Sequence, residues 1–343
     1  MINELRSLLN DRSPSSLTVN LEKMDYLDDF GALVLLELKG MVGGGNGFRL
    51  ESLSERTKKM LSTLKFDSLG KSAAFTKKRP PGILIRLGDA TFRQLSDIKY
   101  AISFIGATFL SLIQVLLHPR TLRKEDTYQY MQTTGVDGLP IVALISFLLG
   151  LIMAFMSAVQ LEQFGANIYV ASLVSLAMTR ELGPIMTAII VAGRSGSAFA
   201  AEIGTMKISE EIDALFTMGF DPVRFLVVPK LLATVIMVPI LTLFSDLFAV
   251  AGGLIVGVFM LDLTANSYMA QTIKTLTLFD LFWGLFKSAI FGALIAEVGC
   301  LRGFRVRGGA ASVGQATTSA VVTSIFLIIL SDSLFSVILR YWE

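Results

Sequence analysis

The 343-residue chain is 53% hydrophobic, only 17% charged and carries a formal net charge of +2, a composition too apolar for an ordinary soluble domain and too balanced for a nucleic-acid surface. One cysteine, Cys300, and one histidine, His118, exclude an internal disulfide and a multi-histidine metal site. Residues 1–100 hold 28 of the 58 Lys, Arg, Asp and Glu residues, so a water-facing head precedes a lipid-facing body. No basic start with a short apolar core and a small-residue cleavage site opens the sequence, and the N-terminus is expected in the cytoplasm.

In the head, apolar residues at helical spacing over 2–9 predict a helix, and the alternation Leu17-Thr-Val-Asn-Leu21 predicts a strand. An acidic start at Asp28 and Asp29 and a glycine run at 43–47 bracket a helix over 28–39. Residues 48–53 read as a second strand, and Ser54 can cap a helix running to Leu64. The glycine run lies after a helix and is followed by no Lys-Ser/Thr, so it reads as a flexible turn rather than a phosphate loop. This order of strand, acidic turn, helix, strand and helix resembles the later part of a STAS domain, the fold of anti-sigma-factor antagonists. The family's opening strands are absent, so residues 1–76 are expected to form an incomplete STAS-like cytoplasmic domain. The position of that family's phosphorylatable serine falls within Asp28-Asp-Phe-Gly31, which holds no serine.

Lys77-Lys-Arg-Pro-Pro-Gly82 marks the boundary, and residues 77–91 read as a linker. Residues 92–118 are polar at first and apolar later, and Arg120, Arg123 and Lys124 follow. Such a segment could span the membrane, but a helix lying at the cytoplasmic interface keeps both basic flanks on one side and is the favoured reading. Beyond it, about 20 apolar residues suffice to cross a hydrocarbon core about 30 Å thick. Five stretches meet that length, at 139–160, 168–201, 231–261, 278–300 and 316–339. The second is interrupted by Arg180-Glu181 and Gly183-Pro184 and is expected to be broken or kinked. The third is long enough to tilt or bend. The expected fold is mainly α: five transmembrane helices and an interfacial helix behind a small α/β head. With the N-terminus inside, the inner connections hold Lys207, Arg224, Lys230, Arg302, Arg305 and Arg307 and the outer ones hold Lys274, which places the C-terminus outside.

Small residues recur four apart at Gly193, Ser197 and Ala201 and at Gly253 and Gly257, a pattern that suits packing within the chain or a dimer face. Charges inside spans cost several kcal/mol unless paired or hydrated, which singles out Arg180, Glu181, Asp246, Lys287 and Glu297. Asp246 and Glu297 are expected to hydrogen-bond between helices. Lys287 has no acidic neighbour one turn away, so it needs Glu181 as a structural partner or the phosphate of a ligand. Between the second and third spans, Ser209 suits an N-cap, Glu210, Glu211 and Asp213 suit the positive helix end, and Gly219 and Pro222 the stop. Ile212, Leu215 and Phe216 share one face of this short helix. Its acidic start would be repelled by anionic lipid, so it is expected to dock a soluble partner.

The run Arg180-Glu-Leu-Gly-Pro-Ile-Met-Thr-Ala-Ile-Ile-Val-Ala-Gly-Arg-Ser-Gly-Ser-Ala-Phe-Ala-Ala-Glu-Ile-Gly-Thr-Met-Lys207 is continued by Glu210-Glu-Ile-Asp-Ala-Leu-Phe-Thr-Met-Gly-Phe-Asp-Pro222. Together they resemble the signature of MlaE-family ABC-transporter permeases, in register through Lys287 and Ala316-Thr-Thr318. The resemblance implies that residues 92–343 are a homodimeric permease of the bacterial inner membrane. It would move phospholipid with a cytoplasmic ATPase pair, which binds the ATP and Mg, and a periplasmic oligomer of MCE domains. The resemblance further implies that Arg180, Glu181, Leu182 and Lys287 border the lipid cavity. It assigns reception of the ATPase's motion to segment 202–222, with Glu202, Lys207, Glu210, Glu211, Asp213, Leu215 and Phe216. A separate STAS protein often binds that ATPase, so the fused head would be its covalent counterpart.

The chain contains no Gly-x4-Gly-Lys-Ser/Thr, so it is expected to be a transport subunit without nucleotide chemistry, cofactor or metal of its own. A secondary anion transporter with a STAS domain is the alternative reading, although those carry more spans and place the domain after them. An intramembrane enzyme finds no support, because no span holds a histidine and no Gly-x-Ser-x-Gly occurs.

Overall fold

The computed structural model describes residues 16–22, 27–42, 47–64, 66, 83–118 and 122–342. The chain divides into two units, Met1–Phe92 and Arg93–Glu343. In the first, β1 (Leu17–Asn20) and β2 (Phe48–Glu51) pair in parallel, with Val19 opposite Leu50. A parallel pair requires a crossover, and α1 (Asp29–Met41) supplies it, opened by Asp28 Oδ1 accepting the Gly31 N–H at 2.8 Å. Then α2 (Glu55–Thr63) follows β2, and Leu21, Leu27, Leu35, Leu61 and Phe66 close a small core. The expected strand–helix–strand–helix order is present. The helix expected over 2–9, residues 43–46 of the glycine run and the breaker at 77–82 lie outside the described residues. Residues 83–91, assigned to the linker, instead open the helix α3 (Ile83–Leu117).

From Arg93 onward the second unit is helical. It comprises the rest of α3, then α4 (Lys124–Thr134) and α5 (Leu139–Leu161). A helical run follows through α6 (Tyr169–Ala177), α7 (Gly183–Val191) and α8 (Ser197–Ile208). Next come α9 (Glu211–Thr217), α10 (Val228–Phe259), α11 (Ala265–Thr275), α12 (Leu278–Phe304) and α13 (Ala310–Trp342). Among the described residues, six helices are long and apolar enough to cross a membrane, one more than the five expected. The extra candidate is Leu95–Leu117, the helix read as interfacial: its later turns alone are as apolar as a span.

Of the two outcomes expected at Gly183-Pro184, a break or a kink, the break does not occur. The chain stays helical from Tyr169 to Ile208, with wide π turns at Met178–Leu182 and Ala192–Gly196. Pro184 directly follows the first π turn, whose widened backbone accommodates a residue that cannot donate an N–H to position 180.

Helices α5 and α10 meet backbone to backbone. A Cβ on Gly150 would lie 2.0 Å from Ala249 O, and one on Gly252 would lie 2.2 Å from Phe147 O. The Ser146 and Ser245 hydroxyls share a 2.7 Å hydrogen bond in this contact, the small-residue packing that lipid-embedded helices need. Gly253 and Gly257 are covered by Tyr268 of α11, at 2.4 and 2.7 Å from a built Cβ, so they pack within the chain. A Cβ on Gly193 meets nothing within 4 Å. Glu297 accepts from the Thr108 hydroxyl of α3 at 3.4 Å, the interhelical bond expected. Asp246 departs from that expectation: its Oδ1 is buried without a hydrogen-bond partner, pressed against Gly183, where a Cβ would approach to 2.2 Å.

Candidate functional site

At the end of the bundle that carries α11, three helices bring five charges together. The π turn Met178–Leu182 presents Arg180 and Glu181, and Gly284 lets α12 approach so closely that a Cβ there would lie 2.3 Å from Thr179 O. That approach sets Lys287, fully buried, 2.6 Å from Glu181 Oε2 and 2.6 Å from Asp332 Oδ1 of α13. Its ammonium also donates to the Arg180 carbonyl at 3.0 Å, the acceptor that an α-helical N–H at position 184 would have engaged and proline cannot. Ser336 donates to Glu181 at 3.3 Å. Arg180 pairs with Asp280, which closes a capping box at the start of α12 by accepting from the Thr277 N–H at 2.9 Å. Of the two readings open for Lys287, the structural pair with Glu181 is present. Arg180 and Glu181 keep 24% and 34% side-chain exposure, whereas Lys287 has none. Leu182 packs beside them on the core of Met178 and Val174.

A second cluster lies at the opposite end, beside α9. Lys230, fully buried at the start of α10, donates to Glu202 Oε1 at 3.0 Å and to the Tyr130 hydroxyl at 2.7 Å, and that hydroxyl donates to Glu202 at 2.6 Å. The ammonium stands 4.2 Å from the Tyr130 ring centroid, a cation–π contact strengthened by desolvation. One residue from each of α4, α8 and α10 is thereby joined at a single point.

The segment expected to dock a partner follows directly. Ser209 does not cap the short helix: it closes α8, and Glu210 in a left-handed conformation (φ 61°) is the N-cap of α9. The reason is local competition, since α8 continues through Ile208 and the Ser209 hydroxyl is engaged by Thr205 O at 3.1 Å and Glu211 at 2.8 Å. Lys207 and Asp213 pair at 2.8 Å. Ile212 is rooted in a core with Phe104, Phe199 and Leu226, and Leu215 packs on it. Phe216, expected on the same face, is instead 73% exposed, together with Glu210 and Glu211.

Sequence reasoning passed over Asp280, Asp332, Tyr130 and Lys230. The rule that intramembrane charges seek partners would have found Asp280 and Asp332, which lie inside the fourth and last expected spans. Lys230 precedes the third expected span by one residue, a place where a basic residue reads as a loop charge. Among the described residues, no group of three or more His, Cys, Asp or Glu could hold a metal ion.

A family model described as permease MlaE matches residues 127–338. A probable ABC transporter permease protein of Rickettsia bellii is 38% identical over 250 residues, covering 73% of this chain and 95% of that protein. A probable ABC transporter permease protein of Synechocystis is 38% identical over 232 residues, 67% of this chain and 88% of its own. The Arabidopsis thaliana protein TRIGALACTOSYLDIACYLGLYCEROL 1, chloroplastic, is 34% identical over 231 residues, 67% of this chain and 65% of its own.

Proposed function

Because the chain belongs to the MlaE permease family, we propose that it is the membrane subunit of an ABC transporter carrying phospholipid, or a related lipid, between the bacterial inner membrane and a periplasmic MCE-domain oligomer. Two copies enclose the lipid path, a cytoplasmic ATPase dimer binds ATP and Mg, and the STAS-like head serves that ATPase. The observation that carries the reading is the five-charge cluster. Arg180 and Glu181 open a polar patch at this end of the bundle while Lys287 and Asp280 behind them are sealed. A guanidinium held in this way suits a headgroup phosphate; Glu181 and Leu182 flank it, and Lys287 serves the site by holding Glu181. The name of the Arabidopsis relative refers to a glycosylated diacylglycerol, which supports a lipid cargo.

Five crossings with α3 at the interface fit the contacts best. Asp97 pairs with Arg305, beyond α12, and further along the same helix Ser111 donates to Asp221, before α10. Since α10 and α12 cross in opposite directions, those two loops face one side, and a helix touching both along its length lies in that interface. The basic residues of these loops make it the cytoplasmic side, leaving the N-terminus cytoplasmic and the C-terminus periplasmic. There Glu210, Glu211, Asp213 and Phe216 meet the ATPase, Lys207 and Leu215 brace them, and Glu202 passes movement to α4 and α10 through Lys230.

The test is reconstitution of the full chain with its ATPase and MCE partners in proteoliposomes, following ATP-dependent transfer of a fluorescent phospholipid to the MCE protein. Transfer is expected, and the double change Glu210→Lys and Glu211→Lys should abolish it while the dimer persists. Absence of transfer with a working ATPase, or undiminished transfer in the double variant, would refute the proposal.

A further inference from the structure

We infer that the cleft under the α9–α10 turn binds the phosphate of one phospholipid from the cytoplasmic leaflet, at the opposite end of the bundle from the five-charge cluster. The cleft has a volume of about 500 Å³ and is lined by Arg123, Phe220, Asp221, Arg224, Phe225 and Pro229. Local sequence builds it. Gly219, at φ 82°, turns the chain out of α9, and the π turn Val223–Val227 ahead of α10 adds a residue to one turn, which sets Arg224 and Phe225 on the wall; such turns recur at functional sites. Phe220 and Phe225 stand 5.6 Å apart, centroid to centroid, and Arg123 stacks 4.4 Å over Phe225.

The charged groups of the cleft are not all paired with one another. Arg123 is answered by Asp126 at 2.7 Å. Asp221 accepts from the Val223 N–H at 3.0 Å and from the Ser111 hydroxyl at 3.4 Å. Among the described residues, Arg224, partly buried, has neither a hydrogen bond nor an ion pair. A guanidinium in a recess where the one lining carboxylate, Asp221, is engaged by Ser111 and the Val223 N–H instead matches the oxygens of a phosphate, which it can engage through two N–H groups at once.

The depth of the cleft selects the source of that phosphate. Ser111 ties its wall to α3, where Phe109, Leu110, Leu116 and Leu117 are exposed. This step rests on the reading of α3 as the interfacial helix. At that level a phospholipid offers its phosphate to Arg224 and its glycerol and upper acyl carbons to Phe220 and Phe225. Free phosphate would leave the aromatic walls unused, and a protein partner would meet the protruding Phe216 before this recess. A lipid bound here tethers the α9–α10 turn to the membrane surface, so that leaflet composition tunes how the turn responds to the ATPase.

The experiment titrates the detergent-purified full chain with phosphatidylglycerol, and separately with inorganic phosphate, and counts retained lipid by native mass spectrometry. One lipid should bind the wild type at least tenfold more tightly than Arg224→Gln, with Arg224→Lys between them and equal thermal midpoints certifying the fold. Inorganic phosphate at the same concentration should displace none of it. Equal retention by Arg224→Gln overturns the site, and displacement by inorganic phosphate overturns the lipid as occupant. Unchanged lipid retention with weakened ATPase capture assigns the cleft to that protein instead. A nitroxide attached at Phe109→Cys, with the fully buried Cys300 unlabelled, tests the underlying reading by its depth. A mid-bilayer depth refutes the interfacial α3, whereas a shallow depth with equal lipid retention refutes the site alone.

Discussion

Lys230 is sealed from solvent, while Glu202, the carboxylate 3.0 Å from its ammonium, is 40% exposed. The two halves of this pair are therefore not equivalent. Removing Glu202 strands a buried ammonium against the Tyr130 hydroxyl and ring, whereas removing Lys230 lets the carboxylate turn to water. Breaking one side of a buried pair costs about 3–5 kcal/mol, and the solvent contact of Glu202 puts this case at the lower end. Glu202→Ala should lower the thermal midpoint in detergent more than Lys230→Met, and the opposite ranking would contradict the asymmetry.

At the other cluster, one ammonium serves two carboxylates, Glu181 and Asp332. Lys287→Met leaves two like charges facing each other in a low-dielectric site, and lipid transfer should fall more than tenfold. Adding Asp332→Asn to the same chain removes one of those charges and should restore part of the transfer. A double variant no better than Lys287→Met alone would mean that the two positions act independently.

The glycines divide by what a methyl group would meet. Gly150→Ala and Gly252→Ala drive a Cβ into the carbonyls of Ala249 and Phe147, and each should cost more than about 2 kcal/mol or prevent folding. Gly193→Ala enters open space and should be neutral or mildly stabilising. Gly193→Leu extends the test to the dimer: loss of the dimer with an intact fold, seen by light scattering, would place this face between the two copies, while an intact dimer would remove it from the interface.

Topology gives a sharper test, because Cys300 is fully buried and leaves introduced thiols unambiguous. A cysteine within residues 163–167 should react with an impermeant maleimide added outside spheroplasts, and one at Glu210→Cys only after lysis. Labelling of residues 163–167 from the inside alone would invert the orientation.

Much of the bundle was legible in the sequence because the relevant forces act between near neighbours in the chain. An apolar run of sufficient length announces a span whatever surrounds it, and the expected spans at 139–160 and 278–300 became Leu139–Leu161 and Leu278–Phe304. The acidic start at Asp28 likewise became a cap through a bond to a residue three positions on. Signals of that kind faltered where two elements competed for one residue. Ser209 has the chemistry of an N-cap, yet the continuing α8 claimed it, and Glu210 took the left-handed position instead.

What the sequence determined alone was the division into head and body, the apolar spans and the acidic segment that hangs between two of them. Only the tertiary structure decided which polar groups meet: Lys287 with Asp332, Lys230 with Tyr130 and Glu202, and Asp97 with Arg305. Hydropathy averages over one segment and is blind to its neighbours, whereas an ion pair depends on how closely two helices approach. That approach was set by glycines such as Gly284, whose missing side chain matters only once another backbone lies against it.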